Sequence, residues 1–178
     1  MDLGPDLVEG VFIERLNRFA ALVEVDGKQE MIHVANSGRM GELFVPGYRV
    51  LLRYRPGDHR KTKYDLALVD MGFGLASADA RLPNTLVREA LDDGRLPQFA
   101  GYPQVRPEST FGESRLDFLL EGPAGKCYLE TKSVTLVVDG VGLFPDAPTS
   151  RGVKHLRSLE QALAEGHRAA AIFVIQDR

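Results

Sequence analysis

The sequence predicts two domains, a small closed β-barrel followed by an α/β domain with a mixed sheet. Three observations lead to this prediction. The first 71 residues are short apolar, β-branched or aromatic segments separated by turn residues, leucines at helical spacing first appear from Leu82 onward, and strand-like and helical segments alternate after that point. A chain of 178 residues can hold two small domains. We therefore predict one domain over residues 1–75 and another over residues 76–178.

Five segments of the first domain are predicted to be strands. They are residues 7–16, 19–25, 30–34, 48–54 and 64–69. Asp26-Gly27 is typical of a two-residue hairpin turn and joins the second strand to the third. Five short strands suit the OB-fold, and an SH3-like barrel fits the same pattern nearly as well.

The second domain is predicted to alternate helices and strands. The elements in chain order are a helix over 82–93, strands over 116–120 and 127–138, a helix over 150–165 and a strand over 169–175. Gly94 and Gly166 follow the two helices, and Thr149 or Ser150 opens the second one. The last strand is entirely apolar, as strands buried in a mixed or parallel sheet are.

A pair of carboxylates is the strongest candidate for chemistry. Taking residues 122–125 as a hairpin loop places Asp117 directly across from Glu130, and the two-residue period of a strand puts Lys132 on the same face. Opposed like charges destabilise a sheet unless a cation lies between them. Two carboxylates with waters and a phosphate suit Mg²⁺, and Lys132 could orient or activate water. The alternative is an exposed sheet face on which Lys132 bridges the two acids.

Two further carboxylates could complete the shell of a Mg²⁺ or Mn²⁺ ion. They are Glu113, before the first strand of the hairpin, and Glu89, on the first predicted helix. Glu89 lies next to Arg88, so a solvated helix face is its alternative interpretation.

Seven blocks, in order along essentially the whole chain, resemble the sugar fermentation stimulation protein A family. They are Glu14-Arg-Leu-Asn-Arg-Phe19, Ala35-Asn-Ser-Gly-Arg-Met40, Leu82-Pro-Asn-Thr-Leu-Val87, Phe111-Gly-Glu-Ser-Arg-Leu-Asp117, Leu129-Glu-Thr-Lys-Ser-Val134, Phe144-Pro-Asp-Ala-Pro148 and Arg151-Gly-Val-Lys-His155. The resemblance implies an N-terminal OB-fold that binds DNA without strong sequence preference. It also implies a C-terminal domain like the restriction-endonuclease-like PD-(D/E)-x-K nucleases.

The resemblance assigns roles to individual residues. Asp117 matches the acid on the first strand of the nuclease motif, Glu130 and Lys132 match its (D/E)-x-K, and Glu89 would be the acid on the helix. Leu116 stands where the motif's name has proline. Family members usually continue beyond the position of Gln176, so the expected domain is either minimal or truncated, and truncation would leave the last strand as an exposed sheet edge.

Basic residues cluster between positions 49 and 63, where six cations accompany one acid, Asp58. Tyr48, Tyr54 and Tyr64 lie among them, and such a mixture of charge and aromatic rings is typical of a surface that binds a nucleic-acid backbone and its bases. A solvated loop is the alternative. The nucleic-acid-binding candidates of the barrel are Arg15, Arg18, Arg39, Arg53, Arg55, Lys61 and Lys63.

The start of the second predicted helix supplies three more candidates. Arg151, Lys154 and His155 could meet a scissile phosphate there, because backbone N–H groups at a helix N-terminus favour anions. For His155 a structural role fits equally well.

Net charge does not exclude a polyanion partner. The total is −3, but residues 1–64 carry +1 and residues 49–63 alone carry +5, while residues 65–178 carry −4. No apolar run spans a membrane and the start lacks a signal peptide, so we expect a cytoplasmic protein with no membrane partner. Cys127 is expected to be a buried apolar residue, and spacings typical of a phosphate loop, a serine nucleophile or a zinc site are absent from the sequence.

Two functional hypotheses follow. The first is a DNA-binding protein with a Mg²⁺- or Mn²⁺-dependent phosphodiesterase site, hence a DNA endonuclease. The second is a noncatalytic DNA-binding regulator of sugar utilisation that retains a nuclease fold.

Overall fold

A computed structural model describes residues 7–72, 74–145 and 149–176 and divides them into two compact units. The first unit holds the chain up to Leu82 together with residues 134–145 and 175–176, and the second holds residues 83–133 and 149–174. The units are therefore less contiguous than the predicted segments 1–75 and 76–178. Phe73, near the end of the first predicted domain, and residues 146–148, in the sixth family block, lie outside the described residues.

The first unit contains a closed barrel. Its strands are β1 (Leu7–Asn17), β2 (Ala20–Val25), β3 (Lys28–His33), β4 (Arg49–Tyr54) and β5 (Tyr64–Asp70), and the short β6 (Leu75–Ser77) pairs with β5. β1 pairs with both β2 and β4, and a parallel contact between His33 and Asp65 joins β3 to β5. This circular order is that of the OB-fold, so the structure decides between the two predicted barrels.

Alternation of side chains builds the barrel core. Ala21, Val23 and Val25 of β2 are buried on one face and pack with Phe12 of β1, while the residues between them are more exposed. The predicted Asp26-Gly27 turn is confirmed, since both residues adopt the positive φ angles of a tight hairpin.

The second unit is built around a four-stranded sheet. After α1 (Leu82–Asp92) and a short 3₁₀ turn come β7 (Gln104–Phe111), β8 (Ser114–Gly122) and β9 (Gly125–Val134). The chain then forms the hairpin β10 (Leu136–Val138) and β11 (Val141–Leu143) of the first unit, followed by α2 (Ser150–Ala164) and β12 (Arg168–Ile175). The sheet order is β12-β9-β8-β7, and β7, β8 and β9 are antiparallel. The predicted fold class, a small barrel followed by a mixed-sheet α/β domain, is confirmed.

Two apolar layers cover the sheet. Val87 of α1 packs in one cluster with Phe118, Leu120 and Leu129, and Leu159 of α2 packs in another. The second cluster also contains Phe111, Leu116, Leu119, Tyr128 and Ala162. Neighbouring residues of β9 therefore point towards different helices. Among the described residues no helix is long and apolar enough to span a membrane.

Candidate active site

The hairpin of β8 and β9 has the predicted register. Gly122 opposes Gly125 and Phe118 opposes Leu129, so the loop residues are those expected from the sequence. Counted from the hairpin loop, the last paired position of β8 is Phe118, and Asp117 is the next residue along the strand. There the carboxylate of Asp117 takes the place of a main-chain partner, because its Oδ2 accepts a hydrogen bond from the backbone N–H of Thr131 at 2.7 Å.

Asp117 is held at both oxygens. Besides the bond from Thr131, its Oδ1 accepts a hydrogen bond from Nδ2 of Asn84, on the first turn of α1, at 2.8 Å. Burial raises the pKa of the Asp117 carboxyl, and the negative charge of Glu130 raises it further, against the opposing effects of the two hydrogen bonds and of Lys132. The neighbouring charge of Glu130 thus opposes ionisation of Asp117.

Glu130 is almost completely buried, with 3% of its side chain exposed. Its Oε1 contacts both Nζ of Lys132 and Nδ1 of His155. Its Oε2 is also buried and has no hydrogen-bond partner in the part of the chain that the structure describes. A buried carboxylate oxygen without a partner is costly, and a cation at this atom would satisfy it.

His155 lies against Glu130 rather than on the surface. Thr149 caps α2 by accepting a hydrogen bond from the N–H of Gly152 at 3.0 Å, which fixes the first turn of the helix and directs His155 towards the sheet. Nε2 of His155 lies 3.4 Å from Nε of Arg151. Since guanidinium groups only donate, this contact assigns the acceptor role to Nε2 and leaves the proton on Nδ1, facing Glu130.

The other two predicted metal ligands have different neighbours. Glu113 lies in the turn between β7 and β8 with 90% of its side chain exposed, 3.4 Å from Nζ of Lys154. Glu89 is half-buried on α1, and its carboxylate lies 3.9 Å from Arg95. Within the described ranges, no three His, Cys, Asp or Glu residues form a metal-binding cluster.

The donor set nevertheless fits a hard divalent cation. Mg²⁺ is commonly held by one or two carboxylates and completes its shell with waters and substrate phosphate oxygens. Asp117 and Glu130 supply two carboxylates, one of them with an unpartnered buried oxygen. Lys132, with 14% of its side chain exposed, supplies a positive charge beside them.

The basic cluster of the barrel is partly neutralised in space. Arg49 pairs with Asp70 and Glu9 at 2.8 Å each, Arg60 contacts Asp65, and Lys63 lies 3.6 Å from Glu30. These acids come from β1, β3 and β5, which the linear count over residues 49–63 did not include. Of the predicted barrel cations, Arg18, Arg39, Arg55 and Lys61 are exposed and Arg53 is half-buried.

Arg15 is a structural residue of the barrel. Each of its five N–H donors has a backbone acceptor, and the acceptors are the carbonyl oxygens of Asn17, Arg18, Asn36, Gly38 and Arg39, at 2.6–3.1 Å. The guanidinium also lies 4.4 Å from the ring centroid of Phe44. The sequence predicted Arg15 to bind nucleic acid, but its donors are engaged within the barrel.

An open groove of about 370 Å³ runs along the β2–β3 side of the barrel. It is lined by the β1–β2 turn, by β2 and β3, and by the β4–β5 loop, and its residues are Asn17, Phe19, Ala20, Met31, His33, Arg60, Lys61 and Thr62. Two of its large apolar side chains, Phe19 and Met31, are 53% and 41% exposed. Met31 and His33 were not among the sequence candidates, because a lone Met or His on a strand has no distinctive spacing.

Asn84 is the main residue that sequence reasoning missed at the carboxylates. It lies in the block Leu82-Pro-Asn-Thr-Leu-Val87, so a signal was present, but the motif directed attention to an acid on the helix.

Known proteins resemble the chain over nearly its full length. The model of the SfsA N-terminal OB domain matches residues 13–77, and the model of the sugar fermentation stimulation protein RE domain matches residues 81–178. Sugar fermentation stimulation protein homologues from Desulfitobacterium hafniense and Caldanaerobacter subterraneus are 50% and 48% identical to it. They cover 94% and 96% of this chain, and the matches span 72% and 74% of the homologues.

A solved structure has the same fold. It is the structure of Pyrococcus furiosus SfsA in complex with Ca²⁺, which is 31% identical to this chain and superposes with a TM-score of 0.90 over 99% of this chain and 75% of that one. Together with the two matching domain models, these likenesses show that the chain belongs to the sugar fermentation stimulation protein family.

Proposed function

We propose that this protein binds DNA and cleaves it at a site that depends on Mg²⁺ or Mn²⁺. The observation that carries the proposal is the buried, unpartnered Oε2 of Glu130, on the strand next to the one that carries Asp117 and with Lys132 at the other Glu130 oxygen. The large majority of buried side-chain polar atoms have a hydrogen-bond partner. An oxygen left open beside a second acid is instead suited to a cation.

The chemistry of the site would be hydrolysis of a phosphodiester. Asp117 and Glu130 would hold the cation, which when bound would supply positive charge to the phosphate. Nζ of Lys132 would orient the attacking water. The water oxygen would form a bond to phosphorus and release a proton to solvent, the bond to the leaving sugar oxygen would break, and the leaving oxygen would take up a proton from solvent. Asn84 and Thr131 would keep Asp117 in position throughout.

His155 would act on Glu130 rather than on the substrate. Its Nδ1–H donates to Oε1 of Glu130, and Nζ of Lys132 donates to the same oxygen. These two donors hold the carboxylate by Oε1, with Oε2 turned away from them. The two donors thereby leave Oε2 for the metal. The relative from Pyrococcus furiosus has a structure in complex with Ca²⁺, another hard cation that takes oxygen ligands, and this supports the proposed metal site.

DNA binding is supported by the groove on the barrel. OB-folds bind oligonucleotides on the face of strands 2 and 3 and with the loops between strands 1 and 2 and between strands 4 and 5. The groove of this barrel is formed by those parts of the chain. Its exposed Phe19 offers a stacking surface, and the exposed Lys61 offers a positive charge for the backbone.

The alternative is a noncatalytic DNA-binding regulator. The name of the family favours it, since stimulation of sugar fermentation is an effect on metabolism and not a cleavage reaction.

The two functions are distinguished by one measurement, the cleavage of DNA. Supercoiled, linear double-stranded, single-stranded and branched DNA would be incubated with the protein in Mn²⁺, in Mg²⁺ and in EDTA.

Matched variants make the test specific to the site. Cleavage should require metal and should be lost in Glu130→Gln and Lys132→Met, but it should persist in Lys126→Met, which alters an exposed lysine of the same strand. Binding of DNA without cleavage of any substrate by the wild-type protein would favour the regulator. Cleavage that survives in both site variants would show that the activity lies elsewhere.

A further inference from the structure

The contact between α1 and the carboxylate site is made by an amide. Nδ2 of Asn84 donates to Oδ1 of Asp117 at 2.8 Å, from the first turn of the helix. Glu89 follows five residues later, which turns it by roughly 140° around the helix axis. Its carboxylate lies 3.9 Å from Arg95, after the end of the helix. The two positions therefore face different surroundings, and Asn84 is the one hydrogen-bonded to Asp117.

Asp117 needs a positioning partner for a physical reason. It is half-buried, next to the strand that carries the buried acid Glu130, and a carboxylate taken out of water needs hydrogen-bond donors. A neutral amide donor favours the carboxylate without adding charge, whereas a third acid would add repulsion. The N–H of Thr131 holds Oδ2, so Asn84 and Thr131 together fix the plane of the carboxylate.

We infer that Asn84 is a positioning residue of the proposed metal site, acting as a hydrogen-bond donor to Asp117 rather than as a ligand, and that α1 contributes this amide in place of an acid. The inference rests on the proposed function. Partners of this kind, which orient a metal ligand without touching the ion, typically change metal affinity by about 10- to 100-fold when removed.

The inference implies a specific kinetic signature. If Asn84 only orients Asp117, a variant without the amide should bind metal more weakly and should recover its cleavage rate when Mn²⁺ is raised to saturation. A residue needed only for folding would lower the thermal midpoint in EDTA but would leave the Mn²⁺ affinity of the folded protein unchanged.

The test is calorimetric titration of the full chain with Mn²⁺ in the absence of DNA. Asn84→Ala should weaken Mn²⁺ binding by about 10- to 100-fold. Asp92→Asn, an exposed change on the same helix, should leave Mn²⁺ binding unaltered. In Asn84→Asp the shape of the side chain is kept, but the ionised group cannot donate and repels Asp117, so the thermal midpoint in EDTA should fall below that of the wild type. Mn²⁺ offsets this repulsion, so its addition should raise the midpoint of the variant more than that of the wild type.

The outcomes separate this inference from the proposed function. Mn²⁺ affinity of Asn84→Ala equal to that of the wild type would overturn the role of Asn84 alone, as would a cleavage rate that stays low at saturating Mn²⁺. A wild-type protein that binds no Mn²⁺ would overturn the metal site itself, and the inference with it.

Discussion

The carboxylate of Asp117 bonds to the main chain of Thr131, where Oδ2 accepts the backbone N–H at 2.7 Å. The side chain of one strand thus completes the hydrogen bonding of its neighbour at the point where the paired positions of β8 and β9 end. This arrangement ties the candidate site to the sheet, because the group proposed to bind metal also satisfies a backbone donor.

Removal of this acceptor should destabilise the metal-free protein. Asp117→Ala leaves the N–H of Thr131 without its partner, at a cost of about 1–3 kcal/mol. Asp117→Asn keeps an oxygen for Thr131, and Asn84 can turn its amide to meet the new side chain. Urea unfolding in EDTA should therefore show Asp117→Ala to be less stable than Asp117→Asn. Equal stability of the two variants would mean that the bond to Thr131 contributes nothing.

Glu130 and Lys132 should be strongly coupled in stability. Glu130→Ala leaves the largely buried Lys132 without its anion, and loss of one partner of a buried ion pair typically costs about 3–5 kcal/mol. Glu130→Gln combined with Lys132→Met should be less destabilised than the sum of the single changes. A double-mutant cycle measured by urea unfolding gives this coupling free energy. Additive effects would indicate that Lys132 is balanced by another group.

The stability of the metal-free protein should depend on the protonation of Asp117. Its folded pKa lies above the ordinary value of 3.8 because of burial and the charge of Glu130. The folded state therefore holds this proton more tightly than the unfolded state does. The contribution of Asp117 to the free energy of unfolding is complete below pH 3.8 and is lost as pH rises through the raised pKa.

The measurement is the difference in unfolding free energy between the wild type and Asp117→Asn over that pH range in EDTA. The wild type should lose stability relative to the variant as pH rises, and saturating Mn²⁺ should reverse the trend, because the metal requires the ionised carboxylate. A difference that does not change with pH would show that the pKa of Asp117 is the same in both states. Comparison with the variant cancels the groups with lowered pKa values, such as Asp70 and Asp79.

Much of the fold was predictable because periodicity and turn residues agree in most segments. The five barrel strands, both helices, Thr149 as a possible cap and the register of the β8–β9 hairpin match the structure. β7 was missed because it contains Pro107 and alternates weakly, with most of its side chains exposed, as suits an edge strand. The predicted strand over 127–138 divides at Thr135 into β9 and β10.

The site was predictable only where the relevant contacts are local. Asp117, Glu130 and Lys132 follow from one hairpin, whose geometry a sequence pattern can fix. The contacts of Asn84 and His155 span 33 and 25 residues, and no local pattern places a helix against a particular strand position. The basic cluster was overestimated for the same reason, since Glu9, Glu30 and Asp70 approach it only after folding.

The groove of the barrel should account for the salt dependence of DNA binding. Lys61→Glu should weaken binding and lower the slope of log affinity against log salt by about 1, the value for loss of one phosphate contact. Lys28→Glu is a matched control, since Lys28 is exposed at the opposite end of β3 from His33. Fluorescence anisotropy with a labelled oligonucleotide over a salt series measures the affinity and its salt slope for each variant. Equal effects of the two variants would mean that net charge, rather than the groove, determines binding.

Arg15 should matter for barrel stability rather than for DNA contact. Arg15→Lys keeps the positive charge but cannot supply five donors in a planar fork, so several of the five carbonyl contacts should be lost, at a total cost of about 2–4 kcal/mol. Below its lowered thermal midpoint the variant should bind DNA with the wild-type affinity and salt slope. A variant of wild-type stability that binds DNA weakly would return Arg15 to the nucleic-acid surface, where its sequence neighbours Arg18 and Phe19 lie exposed.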